Sequence, residues 1–103
     1  MNWKVQFAPE ALAQLQALEE RIAEAGAPIT AERYVDAIVD FCMNLQTFAA
    51  RGVAREDLLP GLRITHFRKR VIIAYALDDV VVSIVGVFYG GQDYETALGS
   101  EEE

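Results

Sequence analysis

Apolar and polar positions alternate at the start of the chain and then change to a helical spacing. Residues 3–7, Trp-Lys-Val-Gln-Phe, alternate with period two, which predicts a half-buried strand with the three apolar residues inward. Pro9 suits the first turn of a helix, where its missing N–H costs nothing. The apolar positions that follow recur at helical spacing: Leu12, Leu15, Leu18 and Ile22. Gly26 and Pro28 are expected to end this amphipathic helix.

A second helix is predicted beyond Pro28, with Thr30 as its N-cap. Its apolar stripe consists of Tyr34, Val35, Ile38, Phe41, Cys42, Leu45 and Phe48. Because the connection between the two helices is short and contains Gly and Pro, we expect an antiparallel helical hairpin. Arg51-Gly52 is expected to close the helical part of the chain. Residues 53–61 are predicted to be a loop that ends in the turn pair Pro60-Gly61.

Three strands are predicted in the second half of the chain. Leu62–Phe67 alternates, which places Leu62, Ile64 and His66 on one face and Arg63, Thr65 and Phe67 on the other. Val71–Leu77 is continuously apolar, as expected of a central strand that is covered on both faces. Val80–Tyr89 is apolar and rich in β-branched residues. Short turns at Arg68-Lys69 and Asp78-Asp79 predict that the three strands form an antiparallel meander.

The element order is therefore β-α-α-β-β-β, and the predicted class is α+β. We expect a helical hairpin packed on a small, mainly antiparallel four-stranded sheet. If each helix reverses the chain direction, the first strand pairs antiparallel with the second or the fourth strand. Residues 1–98 are expected to form a single domain, and residues 99–103 an acidic C-terminal tail.

Several protein classes are disfavoured by the composition. The chain has no apolar run of about 18 or more residues, so no membrane span is predicted. Its first residues lack the apolar region of a signal peptide. Cys42 is the single cysteine, so neither an intramolecular disulfide nor a cysteine metal cluster is possible, and a reducing cytoplasm fits. No phosphate-binding glycine loop, nucleophile motif or metal-ligand spacing is present, and we expect no cofactor and no metal.

The net charge of −7 is distributed unevenly along the 103 residues. Residues 1–50 carry a net charge of −4, residues 51–70 carry +4, and residues 71–103 carry −7. The positive charge is thus concentrated in one short segment. Such a segment is either a solvated loop and turn or a surface that faces an anion or an acidic partner.

Four segments of the chain, taken in order, carry a family resemblance. They are residues 7–11 (Phe-Ala-Pro-Glu-Ala) at the start of the first helix, Leu58–Arg63 before the second strand, Phe67–Tyr75 around the basic turn, and Val80–Glu95 in the last strand and its exit. In this element order, these segments resemble the RelE/ParE toxin superfamily of type II toxin–antitoxin systems, and its ParE-like branch in particular.

The resemblance implies a toxin that acts in the bacterial cytoplasm and is neutralised by a cognate antitoxin. The antitoxin of such a pair wraps an extended C-terminal segment over the toxin and usually carries the DNA-binding domain. Operator DNA would then be contacted only through the antitoxin, within a hetero-oligomer. Two activities are known in the superfamily: RelE-like members cut mRNA on the ribosome, and ParE-like members poison DNA gyrase by protein contact.

The mRNA endonuclease activity would need a general base, a general acid and cations that hold the phosphate. The resemblance implies that Arg63, His66, Arg70 and Tyr89 would form such a catalytic site. However, the strand exit reads Gly90-Gly91-Gln92-Asp93, where many relatives of the RNase type carry arginines, and no residue after Arg70 is basic. The net charge of −7 would also oppose approach to the anionic ribosome.

These observations favour a ParE-like gyrase inhibitor, stabilised and silenced by a ParD-like antitoxin, that is not an enzyme. The alternative is a ribosome-dependent mRNA endonuclease. A third interpretation is a module without toxicity that only binds the antitoxin.

The basic segment is expected to meet acidic residues of the antitoxin. The candidate partner-binding residues are Arg51, Arg55, Arg63, Arg68, Lys69, Arg70 and Tyr94. Structural alternatives are open for several of them: Arg63 could pair with a carboxylate of the fold, and the basic turn could be simply solvated. His66 could instead be a packed or partly exposed structural histidine. We predict that Arg63→Glu or Arg70→Glu weakens the complex with the antitoxin.

Overall fold

The computed structural model describes residues 3–99. They form five strands, a helical hairpin and a short C-terminal helix. The strands are β1 (Lys4–Phe7), β2 (Val53–Ala54), β3 (Leu62–Phe67), β4 (Val71–Asp78) and β5 (Val81–Tyr89). The helices are α1 (Pro9–Glu24), α2 (Pro28–Met43) and α3 (Tyr94–Gly99), and a 3₁₀ turn, Asn44–Gln46, follows α2. The predicted α+β class is confirmed, and the part of the predicted acidic tail from position 100 onward lies outside the described residues.

The five strands form one sheet in the order β1-β5-β4-β3-β2. The predicted meander is confirmed, because β3 pairs with β4 and β4 with β5 in antiparallel fashion. The predicted count of four strands is one too low, since β2 forms within the segment that was expected to be a loop. Val53 pairs with Ile64 there, and the N–H of Arg55 donates to the carbonyl of Leu62 at 2.8 Å. A strand of two exposed residues leaves no periodic signal in a sequence.

The predicted antiparallel pairing of the first strand is wrong: β1 pairs with β5 in parallel. The reason is that α1 does not turn back along β1. The N–H of Ala8 donates to the carbonyl of Ile84 at 2.8 Å, and Oε1 of Gln14 accepts from the N–H of Val87 at 2.7 Å. α1 therefore runs in the same direction as β5. Only α2 reverses the direction, so counting one reversal for each helix gave the wrong orientation.

The second helix begins three residues earlier than predicted, with its N-cap at Ala27 rather than Thr30. Pro28 is in the first turn of α2 and Ala27 is the N-cap, so the assignment of Thr30 as N-cap is wrong. A proline in the first turn loses no intrahelical hydrogen bond, which allows Pro28 to begin α2 rather than only end α1. Two residues assigned to apolar stripes, Leu12 and Phe48, are 53% and 57% exposed, and Phe48 lies beyond the end of α2.

The sheet is covered by apolar residues on both faces, as predicted for β4. The core on the helical face includes a set of fully buried side chains: Ile38, Leu45, Val71, Ile73, Tyr75, Val82 and Ile84. On the other face, Leu62, Ile64, Ala74 and Phe88 form a smaller core. Tyr94 and Leu98 of α3 pack against this smaller core, so the C-terminal helix supplies part of its cover. In residues 3–99, no helix combines the length and the apolar character that crossing a membrane would take.

Candidate functional site

The structure separates the six cations of residues 51–70 by what each of them contacts. Arg63 lies on the helical face of β3, paired across the strands with Tyr75. Its Nε donates to the carbonyl of Arg51 at 3.1 Å, and its Nη2 donates to the carbonyls of Ala50 and Gly52 at 2.7 and 2.9 Å. The guanidinium is thus used to hold the backbone that leads into β2. The role of Arg63 is thus structural, but its partners are backbone carbonyls and not the carboxylate that the structural alternative expected.

Tyr75 completes this arrangement from β4. The side chain is fully buried, and its hydroxyl donates to the carbonyls of Ala49 and Arg51. Burial raises the pKa of Tyr75, although Arg63 and Arg51 act to lower it. We call Arg63, Tyr75 and the four carbonyls of residues 49–52 the carbonyl clamp. A donor-rich guanidinium and a phenol together satisfy backbone acceptors in a segment that lies between helix and strand.

Arg55 is occupied by carboxylates of its own chain. It forms ion pairs with Asp57 and Glu95, each at 2.8 Å, and its Nη1 donates to the hydroxyl of Tyr94 at 3.0 Å. The guanidinium beside Asp57 lowers the pKa of that carboxyl, and the two acidic partners raise the pKa of Arg55. These contacts join the segment after β2 to α3. We call Arg55, Asp57, Tyr94 and Glu95 the Arg55 cluster.

Arg51 is exposed, and its guanidinium lies over two aromatic rings. The guanidinium carbon is 5.1 Å from the ring centre of Phe41 and 5.7 Å from that of Phe48. Cation–π contacts of this kind stabilise by about 0.5–1 kcal/mol at exposed sites. Arg51 therefore remains available at the surface, held in one place by the two rings.

The basic turn differs from the other cations. Arg68, Lys69 and Arg70 are exposed, and in residues 3–99 the ion pairs within 4.0 Å all belong to Arg55. Arg68 and Lys69 have φ values of 53° and 62°, and the N–H of Arg70 donates to the carbonyl of Phe67 at 3.2 Å. Positive φ at both central positions is the arrangement of a type I′ turn, in which glycine or asparagine is the usual choice.

A hollow opens beside this turn on the helical face of the sheet. It is lined by Ile22, Thr30, Tyr34, Arg68, Arg70 and Tyr89. The guanidinium of Arg68 lies 4.8 Å from the ring centre of Phe67 and 5.9 Å from that of Tyr34. The Tyr34 ring meets those of Phe67 and Tyr89 edge-on. We call this concave surface the turn hollow; it joins two cations and two phenols to an aliphatic wall.

Burial raises the pKa of Tyr34, and the neighbouring Tyr89 raises it further, against the opposing effect of Arg68 and Arg70. Its phenol is therefore neutral at physiological pH and keeps a hydroxyl proton to donate. Tyr34, Thr30 and Ile22 were not among the candidate site residues. Tyr34 and Ile22 were placed in apolar stripes, and only the packing of the helical hairpin beside the basic turn brings them near the cations.

The four residues that an RNA-cutting site would need do not converge. His66 is exposed and follows Leu62 and Ile64 on the face away from the hairpin. Arg63 lies on the helical face, within the carbonyl clamp. Only Arg70 and Tyr89 line a common surface, the turn hollow. Within residues 3–99 no three side chains of His, Cys, Asp or Glu are grouped so as to hold a metal ion.

The fold and the site thus define a small α+β protein with a basic surface turn and an adjoining hollow lined by cations and aromatic rings. The sequence profile of the family described as ParE toxin of type II toxin–antitoxin system, parDE, matches residues 5–94. The chain belongs to this ParE toxin family.

Two further comparisons bear on the fold and on sequence relatives. A solved structure described as the chromosomal ParDE TA system from P. aeruginosa is similar, with a TM-score of 0.74 and 20% sequence identity. The match covers 85% of this chain and 96% of that chain. At this identity the likeness supports the fold alone. No curated protein matches the chain in sequence.

Proposed function

We propose that this toxin acts in the bacterial cytoplasm by inhibiting DNA gyrase through protein contact, and that a ParD-like antitoxin silences it. Membership of the ParE family supports the toxin role and the existence of an antitoxin. Neither gyrase inhibition nor binding of the antitoxin needs catalytic chemistry. Operator DNA would be reached through the antitoxin, in a hetero-oligomeric complex.

The observation that carries the proposal is the separation of the candidate catalytic residues. General acid–base cleavage requires the base, the acid and the phosphate-binding cations within hydrogen-bond reach of one substrate position. His66 lies on the face opposite to Arg63, and three backbone carbonyls accept from Arg63. Near the strand exit, Arg55 is already paired with Asp57 and Glu95. This arrangement supports action by surface contact rather than by hydrolysis.

A supercoiling assay with purified gyrase and purified toxin tests the proposal. We expect the toxin to block supercoiling, and the addition of its cognate antitoxin to restore it. His66→Ala is the control variant and should inhibit gyrase as the wild type does. Inhibition by contact does not need the exposed imidazole, which lies on the sheet face away from the hairpin. Growth arrest in cells with fully active gyrase would contradict the proposal.

The ribosome-dependent mRNA endonuclease is the second candidate, and one observation favours it. Arg70 and Tyr89 line the same hollow, so one surface offers both a cation and a phenol to a phosphate. Mapping of transcript ends after induction separates the two activities, since only the endonuclease produces new 5′ ends within coding regions. Induction that leaves both the cells and their messages unharmed would favour the antitoxin-binding module without toxicity.

A further inference from the structure

We propose that the turn hollow is the docking site for an acidic segment of the antitoxin. One carboxylate of that segment lies between Arg68 and Arg70, and an adjacent aliphatic side chain packs against Ile22 and Tyr34. This inference rests on the proposed pairing with an antitoxin and specifies where and by what chemistry the antitoxin binds. It adds Ile22, Thr30 and Tyr34 to the basic turn; these three residues were not among the partner-binding candidates predicted from the sequence.

The first argument is charge complementarity. The chain carries 16 acidic and 9 basic side chains, and yet three consecutive cations at the turn form no ion pair within residues 3–99. Arg55, by contrast, has found two carboxylates in the same chain. Unpaired cations of this density attract an acidic partner and raise its association rate. An isolated carboxylate that reaches both guanidinium groups gains charge-assisted hydrogen bonds from each of them.

The second argument is the backbone of the turn. Arg68 and Lys69 both adopt left-handed conformations, with φ of 53° and 62°. This conformation costs about 1–2 kcal/mol for each residue that is not glycine, relative to the right-handed region. An Asn-Gly turn would connect the strands without that cost. With arginine and lysine at these two strained positions, Arg68 lies beside the Tyr34 ring and the rim of the hollow carries positive charge.

The third argument is the composition of the hollow. Tyr34 and Tyr89 offer rings and hydroxyl groups, Ile22 offers an aliphatic wall, and Thr30 offers a second kind of hydroxyl. A peptide that carries a carboxylate next to an apolar side chain matches this mixture. Nucleic acid fits less well, because a phosphate backbone demands cations repeated along a track, and the overall charge of −7 repels it.

Direct binding of the purified cognate antitoxin to the full toxin tests the inference. We expect Arg68→Ala and Arg70→Ala each to weaken binding about tenfold, and Tyr34→Ala to weaken it by a similar factor. The matched control is Arg33→Ala, which removes one exposed arginine from α2 outside the hollow. The salt dependence of binding should also be smaller for the Arg68→Ala/Arg70→Ala double variant than for the wild type.

Unchanged antitoxin affinity of the double variant, with its unfolding midpoint unaltered, would overturn the inference. Equal losses in Arg33→Ala would do the same, since they would indicate a general charge effect. Tighter binding of the free toxin to duplex DNA or RNA than to the antitoxin, lost in the double variant, would instead assign the hollow to nucleic acid. A wild-type toxin that binds its antitoxin through these residues and leaves gyrase active would refute the proposed target, and not the docking site.

Discussion

Arg63 and Tyr75 face each other across β3 and β4, and both donate to the carbonyl of Arg51. The same two side chains also donate to the carbonyls of Ala49, Ala50 and Gly52. Four consecutive carbonyl groups outside any helix thus accept hydrogen bonds from this pair. Two side chains from the sheet therefore fix the path of the chain as it leaves the hairpin and enters β2. The residue that sequence patterning placed among phosphate or partner contacts is in this way part of the fold's own support.

Tyr75→Phe removes the donor to the Ala49 carbonyl and leaves a buried acceptor without it. We expect the free energy of unfolding to fall by about 1–2 kcal/mol, measured by urea denaturation. Arg63→Lys should cost a similar amount, because an ammonium cannot reproduce the planar fork. Since both side chains share the Arg51 carbonyl, the double variant should lose less than the two single losses combined. Strict additivity would show that the clamp does not act as a unit.

Arg63→Glu and Arg70→Glu should differ in kind, although both replace a cation by an anion. Arg63→Glu directs a carboxylate at backbone carbonyls, and we expect it to lower stability by about 2–4 kcal/mol. Arg70→Glu lies on an exposed turn and should change stability by less than about 0.5 kcal/mol. Thermal unfolding followed by circular dichroism distinguishes them. Weakened antitoxin binding by Arg63→Glu would count as a surface effect only in a variant that remains folded.

The Arg55 cluster should govern the local stability of α3. Arg55→Ala removes both ion pairs and the donor to Tyr94, so we expect faster amide hydrogen exchange in residues 94–98 with little change in the central strands. Arg33→Ala serves as the control with equal loss of charge. Unaltered exchange in α3 would mean that Tyr94 and Leu98 hold the helix by packing alone.

Low pH should also destabilise α3. Bonds from Arg55 lower the pKa of Asp57, and those from Thr96 lower the pKa of Asp93. A carboxyl with a lowered folded pKa contributes stability above its ordinary pKa of 3.8, and that stability is lost as the pH falls through the lowered value. We expect α3 amide resonances to shift toward disordered values below pH 3.8. Asp93→Asn should flatten part of this titration, and an identical profile would contradict the assignment.

Gly61 and Gly90 are a matched pair for testing the effect of a nearby backbone on a glycine-to-alanine substitution. Both have positive φ, 74° and 67°, so any side chain is strained at either site. A Cβ at Gly61 would lie 2.6 Å from the carbonyl oxygen of Leu77, whereas one at Gly90 meets nothing within 4 Å. Gly61→Ala should therefore destabilise by about 2–4 kcal/mol and Gly90→Ala by about 1 kcal/mol, in urea denaturation. Equal losses would indicate that the β4 backbone yields to the added methyl.

The meander and the amphipathic hairpin could be predicted because long periodic segments carry their own signal. The direction of β1 could not, since it depends on where α1 lies relative to β5. That position is fixed by contacts such as the one from Gln14 to Val87, which span more than seventy residues. Pro28 was ambiguous for a local reason, because the same residue is compatible with the end of one helix and the start of the next.

The sequence predicted where the positive charge of the candidate site lies, but not the role of each cation. Counting cations located the basic segment, and this count cannot tell an arginine that meets carbonyls from one that meets solvent. Arg55 needed Glu95, forty residues away, to become a paired side chain. Arg68 needed Tyr34 from α2 to become part of a hollow. Both roles arise from tertiary packing, which sequence spacing does not encode.

β1 is paired with β5 only as far as Ile84, so the second half of β5 has β4 on one side and no strand on the other. Side-chain oxygens of Gln14 and Gln92 accept there from the N–H groups of Val87 and Tyr89, at 2.7 and 2.8 Å. A strand of another chain that approached this edge of β5 would meet two N–H groups that are already hydrogen-bonded, with α1 beside them. These two side chains and α1 therefore limit extension of the sheet along this part of β5 by a strand of another chain.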